Sequence, residues 1–190
     1  MYFIFGLGNP GFQYDNTRHN VGFETLDFVA KKHDIKINRL RFKGLFGRGK
    51  ISNEDVMLIK PQTFMNNSGE CVKEIFDFYK PEKKEIIIIL DDVEIKFATL
   101  RIRKKGSHGN HNGMRSIIDN LGFDDITRIK VAVGNKPEKL DMVKHVLGTY
   151  TESEQKIVNK EIELASDAVE EIISEGVDKA MSLYNSKNLL

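Results

Sequence analysis

The segment Ile86 to Leu90 is four isoleucines and a leucine in a row, followed directly by Asp91 and Asp92. A run this short, β-branched and uninterrupted by polar residues is a strand covered on both faces. It therefore needs a sheet with helices packed on either side. A second apolar run, Tyr2 to Leu7, broken only by Gly6, predicts another buried strand. Leu45 to Ser52 and Val56 to Lys60 read as strands joined by a turn at Asn53, Glu54 and Asp55. Thr127 to Val133 reads as a further strand, and Phe97 to Arg103 as an edge strand.

Helical patterns lie between these runs. One covers Val21 to Lys32, with Asn20 expected as its N-cap, and another runs from about Asn67 to Tyr79. Met114 to Leu121 is a short helix closed by Gly122, and Asp141 to Leu147 is another. Thr151 with Glu154 forms a capping box, opening a long helix with the stripe Val158, Ile162, Ala165, Val169 and Ile172. A last helix covers Val177 to Tyr184. The alternation predicts one α/β domain over residues 1–190: a twisted mixed β-sheet flanked by α-helices.

Composition narrows the class. The 190 residues contain no apolar run near the roughly 18 needed to span a bilayer, so no membrane partner is expected. One cysteine, Cys71, excludes an intramolecular disulfide and a cysteine-based zinc site, and a cytoplasmic setting is expected. The net charge of +1 hides an asymmetry. Ile35 to Asn53 holds six basic residues and no acid, Ile95 to Ile118 holds six more and no acid, and Glu152 to Asp178 holds nine acids and two lysines. A charge run is usually a solvated face. Two acid-free basic segments opposed by an acidic one favour a side that meets a polyanion.

Several polar clusters sit in loops. Gly6, Gly8 and Gly11 spell a dinucleotide-type glycine pattern, but Pro10 and the polar run to Thr17 delay the helix such a site requires. Asn9 nevertheless falls at the end of a buried strand, where α/β proteins place ligand contacts. His19 stands at a loop-to-helix junction, where a lone histidine is more often structural than a base. The Asp91–Asp92 pair either caps the next turn or orients a histidine through its Nδ1–H. Asn66 precedes a helix, and His108 and His111 form an HxxH pair without a cysteine or nearby acid, so no metal is expected. No nucleophile stands out, which leaves general-base activation of water on an activated ester or similar carbonyl.

Taken together, GLGNPG, Tyr14 followed by TRHNVG, KPQTFMNNSG, LDD and GSHGNHNGMRSI resemble the bacterial-type peptidyl-tRNA hydrolases, in order and from about Tyr2 to Tyr184. That resemblance implies a monomer without cofactor or metal, cleaving the ester between a peptide and the 3′ ribose of tRNA and so recycling tRNA from aborted translation. It places the general base on His19 and the orienting aspartate on Asp92, the second of the pair. Asn9 and Asn66 would hold the peptide backbone, and Asn112 the water and the carbonyl oxygen. Met65 would line the peptide groove, Tyr14 the ester end and His111 the tRNA-side wall. The tRNA phosphates would meet Arg103, with Arg101, Lys104 and Lys105 around it, and Lys130, where the family carries an arginine. A lysine there loses bidentate phosphate geometry. Two rivals remain: a non-catalytic RNA-binding protein of the same fold, and a small-molecule esterase.

Overall fold

The Tyr2–Gly6 run forms β1 at the centre of a seven-stranded sheet, with β5 (Ile86–Asp92) beside it in parallel register, Phe3 opposite Ile86 and Gly6 opposite Ile89. The computed structural model describes residues 1–190. The remaining strands are β2 (Arg39–Arg41), β3 (Gly44–Ile51), β4 (Glu54–Pro61), β6 (Leu100–Arg103) and β7 (Thr127–Ala132). Their order across the sheet is β2-β3-β4-β1-β5-β7-β6. β4, β1, β5 and β7 run parallel, while β2–β3, β3–β4 and β6–β7 pair antiparallel.

Helices cover both faces, as the apolar central strands require. On one side lie α1 (Val21–Lys32), α5 (Glu152–Glu175) and α6 (Val177–Tyr184), packed over Ile4, Ile87, Ile89, Ile129 and Val131. On the other lie α2 (Ser68–Tyr79) and α3 (Asn112–Leu121), packed over Phe3, Phe5, Ile86, Ile88 and Leu90. Successive residues of β5 thus alternate between two cores, as the two-residue period of a strand dictates. The short α4 (Met142–Val146) sits beside the carboxyl ends of the strands, its N-terminus capped by the Asp141 side chain. The expected capping box at Thr151 and Glu154 is present, and all five stripe residues of α5 are buried.

Three local readings change. β2 carries no apolar signature, because all three of its residues are exposed. The β3–β4 turn is shorter than expected. Ser52 and Asn53 both take positive φ, 51° and 65°, the two-residue turn that suits strand twist, and pairing resumes at Glu54. Asn20 precedes α1 but makes no side-chain cap, because its amide is bonded elsewhere.

Candidate active site

The carboxyl ends of β1 and β5 open into a cleft of about 430 Å³. How closely α1 approaches the sheet decides what lies there. A Cβ on Gly22 would fall 2.5 Å from the carbonyl oxygens of both Leu7 and Ile89, so only glycine lets the helix rest directly on the strand backbone. That contact lowers His19, just ahead of α1, onto the end of β5.

The residue it meets is Asp91. His19 Nδ1 lies 2.9 Å from both Asp91 carboxylate oxygens, and the carboxylate is fully buried. This corrects the expectation that Asp92 orients the histidine. Ile87 and Ile89 face the α1 side, so by strand alternation Asp91 faces it too, and Asp92 points to the opposite face. There Asp92 Oδ1 accepts from the backbone N–H groups of Glu94 (2.7 Å) and Ile95 (3.0 Å), and Oδ2 pairs with Lys130 Nζ at 2.9 Å. Asp92 caps the turn and neutralises Lys130.

His111 also turns to Asp91. Its Nδ1 accepts the Met114 backbone N–H at the start of α3, which leaves the proton on Nε2 to donate to Asp91 Oδ1 at 2.8 Å. The expected wall residue is therefore largely buried and braces the carboxylate. Burial works to raise the Asp91 pKa, but the two imidazoles beside it prevail and hold it below the usual carboxylate range. For His19, burial works to lower the pKa, and the charge and hydrogen bond of Asp91 outweigh it and raise it above 6.5. With Nδ1–H committed to Asp91, neutral His19 keeps Nε2 as a lone-pair base. The ligand atoms of His19, Asp91 and His111 lie within 4.8 Å of one another, a donor set suited to a cation, and hydrogen bonding alone accounts for that closeness.

Asn9 is fixed just as fully. Its backbone N–H donates to Asn20 Oδ1 (2.8 Å), Asn20 Nδ2 donates to its carbonyl (3.0 Å), and its own Oδ1 accepts the Met65 N–H at 2.7 Å. The carbonyl of the Asn9 amide is thus used, and its NH₂ is the donor left for a ligand. Asn66 and Asn112 are exposed on the cleft, and Tyr14 lines it with Phe64 edge-on at 6.3 Å. Met65 is buried beneath, and a Cβ on Gly113 would meet its sulfur at 2.5 Å. Met142, Val143, Val146 and Leu147 on or beside α4 make the apolar wall.

Sequence reading missed Phe64, Asn20 and Arg18. Phe64 has φ 61°, a strained conformation for a bulky residue, which aims the Met65 N–H at Asn9. Arg18 is buried. It donates to the Val133 carbonyl (2.6 Å), pairs with Glu154 (3.1 Å) and lies 4.7 Å over Tyr150, fixing the loop that carries His19.

Of the basic segment, Arg101 lies opposite Lys130 in register, so both stand on the sheet face of Asp92, and Arg103 follows on that face. Arg103, Lys104 and Lys105 are exposed, but Lys104 is turned to Asp178 at 2.6 Å.

A mixed α/β sheet with a histidine–aspartate pair and amide donors at the carboxyl ends of its central strands defines a class, the hydrolytic α/β enzymes. Similarity to known proteins narrows it. The family model described as peptidyl-tRNA hydrolase matches residues 3–189. The peptidyl-tRNA hydrolase of Clostridium novyi (strain NT) is 49% identical over 185 residues, covering 97% of this chain and 98% of that protein. That of Clostridium beijerinckii is 50% identical over 185 residues, covering 97% and 96%. The crystal structure of peptidyl-tRNA hydrolase from Acinetobacter baumannii superposes with a TM-score of 0.93 at 33% identity, over 99% of this chain and 96% of that one. The chain belongs to the peptidyl-tRNA hydrolase family.

Proposed function

We propose that this enzyme hydrolyses the ester joining a peptide, or another N-blocked aminoacyl group, to the 3′ ribose of tRNA. Neutral His19 takes a proton from water at Nε2 while the water oxygen attacks the ester carbonyl. Asp91 stabilises the imidazolium that forms, and His111 keeps Asp91 in place. The tetrahedral oxyanion is met by Asn112 from the start of α3, and the Asn9 NH₂ binds a peptide carbonyl together with Asn66. Collapse breaks the bond to the ribose oxygen, which takes the proton back from His19. Base assistance contributes about 10²–10⁴ in rate and an oxyanion donor about 10² or more. This suffices for an ester whose alkoxide leaves readily.

The observation that carries the reading is the buried His19–Asp91 contact at 2.9 Å in the cleft, with Asn9 fixed as a donor beside it. Phosphates of the acceptor arm meet Arg101, Arg103 and Lys105, and Lys130 joins them once a phosphate displaces Asp92. The reading includes a monomer working in the cytoplasm to recover tRNA from aborted translation. No helix is long and apolar enough to cross a membrane. Incubation with N-acetyl-aminoacyl-tRNA and free aminoacyl-tRNA, each with EDTA, tests it. Release of the blocked acid alone supports it, and equal rates on both substrates or no release would contradict it.

A further inference from the structure

The acid-free segment from Lys36 to Lys50 has no part in the cleft, and the fold sorts its charges. Lys43 is paired with Glu70 at 2.7 Å, and Lys50 with Asp55 at 2.8 Å. Arg39, Arg41 and Arg48 are exposed and have no carboxylate within 4.0 Å. They share one sheet face, since Arg39 stands opposite Phe46 in register, Arg41 opposite Gly44, and Arg48 two residues beyond Phe46.

Aromatic rings are interleaved with these guanidiniums. Arg41 lies 4.5 Å over Phe42 and 4.8 Å over Phe78, and Arg48 lies 5.4 Å over Tyr79 and donates to its hydroxyl. Phe78 is 56% exposed, although Arg41, Phe42 and Tyr79 border its ring. β2 is the outermost strand at the edge opposite β6, six strand intervals or roughly 29 Å away at about 4.8 Å each. The surface is therefore separate from the basic face beside the cleft.

We propose that this edge is an RNA-binding surface, with the three arginines on phosphates of a single strand and Phe78 as a stacking platform for a base. A guanidinium that lies over a ring and has no carboxylate partner keeps N–H groups for a phosphate, whose paired oxygens its fork matches. An exposed ring among such cations adds what a base can use and an acidic peptide cannot, since every base has a stacking face. The inference goes beyond ester hydrolysis and does not depend on it.

The test is fluorescence anisotropy with a labelled single-stranded RNA of about 12 nucleotides. It is run in the Arg103→Ala/Lys105→Ala background, so that the other basic face contributes little. Adding Arg39→Ala/Arg41→Ala should raise Kd roughly tenfold and flatten the log Kd against log salt slope by about 1.4, at about 0.7 per phosphate contact. Phe78→Ala should raise Kd at least about fivefold and leave the slope unchanged, since stacking releases no counterions. Melting temperatures equal to the parent's exclude unfolding as the cause. The charge-keeping pair Arg39→Lys/Arg41→Lys should retain the slope. Unchanged Kd and slope in the Arg39→Ala/Arg41→Ala protein would overturn the proposal. So would a poly-glutamate peptide that binds this edge where RNA does not, since the partner would then be an acidic protein.

Discussion

Replacing Asp91 by asparagine keeps the shape of the residue and removes one acceptor from a site that needs two. His19 Nδ1 and His111 Nε2 both present N–H groups to the carboxylate, at 2.9 and 2.8 Å, and the His111 tautomer is fixed by the Met114 N–H. Asparagine offers a single carbonyl oxygen, so its NH₂ group must face one of the imidazoles. If that is His19, its proton moves to Nε2 and the base is lost. If it is His111, a buried N–H is left unpaired at a cost of about 1–3 kcal/mol. In either case the charge-assisted hydrogen bond that stabilises the imidazolium is gone, a further 1.5–3 kcal/mol or so. The unpaired N–H costs ground state and transition state alike, so only the lost stabilisation of the imidazolium bears on kcat; at 1.36 kcal/mol per tenfold that is a fall of about 10–10²-fold, and more where the His19 tautomer is lost as well. The pH midpoint of the residual activity should also fall, because burial then lowers the His19 pKa without Asp91 to oppose it. Asp92→Asn retains an oxygen for the Glu94 and Ile95 N–H groups and loses only the pairing with Lys130, so its kcat should change less than about tenfold. Steady-state hydrolysis of N-acetyl-aminoacyl-tRNA from pH 5.5 to pH 9 measures both variants. A larger kcat loss in Asp92→Asn than in Asp91→Asn would refute the assignment.

Two further expectations follow from other parts of the molecule. Arg103→Ala/Lys105→Ala should weaken tRNA binding and flatten its salt slope by roughly one to two units, with single-turnover hydrolysis of bound substrate largely retained; filter binding at several salt concentrations checks this, and an unchanged slope would place the tRNA face elsewhere. Glu161 is fully buried on α5 with neither carboxyl oxygen hydrogen-bonded, and burial pushes its carboxyl up to about 8. A carboxyl with its folded pKa raised is protonated in the fold and ionised in the unfolded chain between about pH 4.5 and 8, so its contribution to stability falls as pH rises through that window. Glu161→Gln should therefore gain Tm relative to the parent as pH goes from 5 to 8, and a constant Tm difference across that range would disprove it.

Much of the fold is legible because its strands and helices bury whole apolar faces, and burial leaves a period in the sequence. Where burial is polar, the period is silent. Arg128 shows this most clearly: it is fully buried, donating to the carbonyls of Asp124, Ile126, Gly106 and Ser107, yet nothing in its neighbours separates it from a surface arginine. Arg18 and Asn20 are alike in that their partners lie across the fold, on Val133 and Glu154 and on Asn9. The error between Asp91 and Asp92 is of another kind. The parity of β5 is written in its own isoleucines, and α1 packs on the face of Ile87 and Ile89. Once that face is known, His19 at the start of α1 can meet only the odd-numbered aspartate.

The central claim, that His19 activates the water, is tested most directly by single-turnover hydrolysis of N-acetyl-aminoacyl-tRNA across pH in the parent enzyme and in His19→Ala. The parent rate should rise through one ionisation lying above 6.5, because Asp91 raises the His19 pKa and only the neutral imidazole is a base. His19→Ala should be slower by about 10² or more and should lose that ionisation while still binding tRNA. A folded His19→Ala enzyme that keeps the parent rate and the same rise with pH would contradict the account.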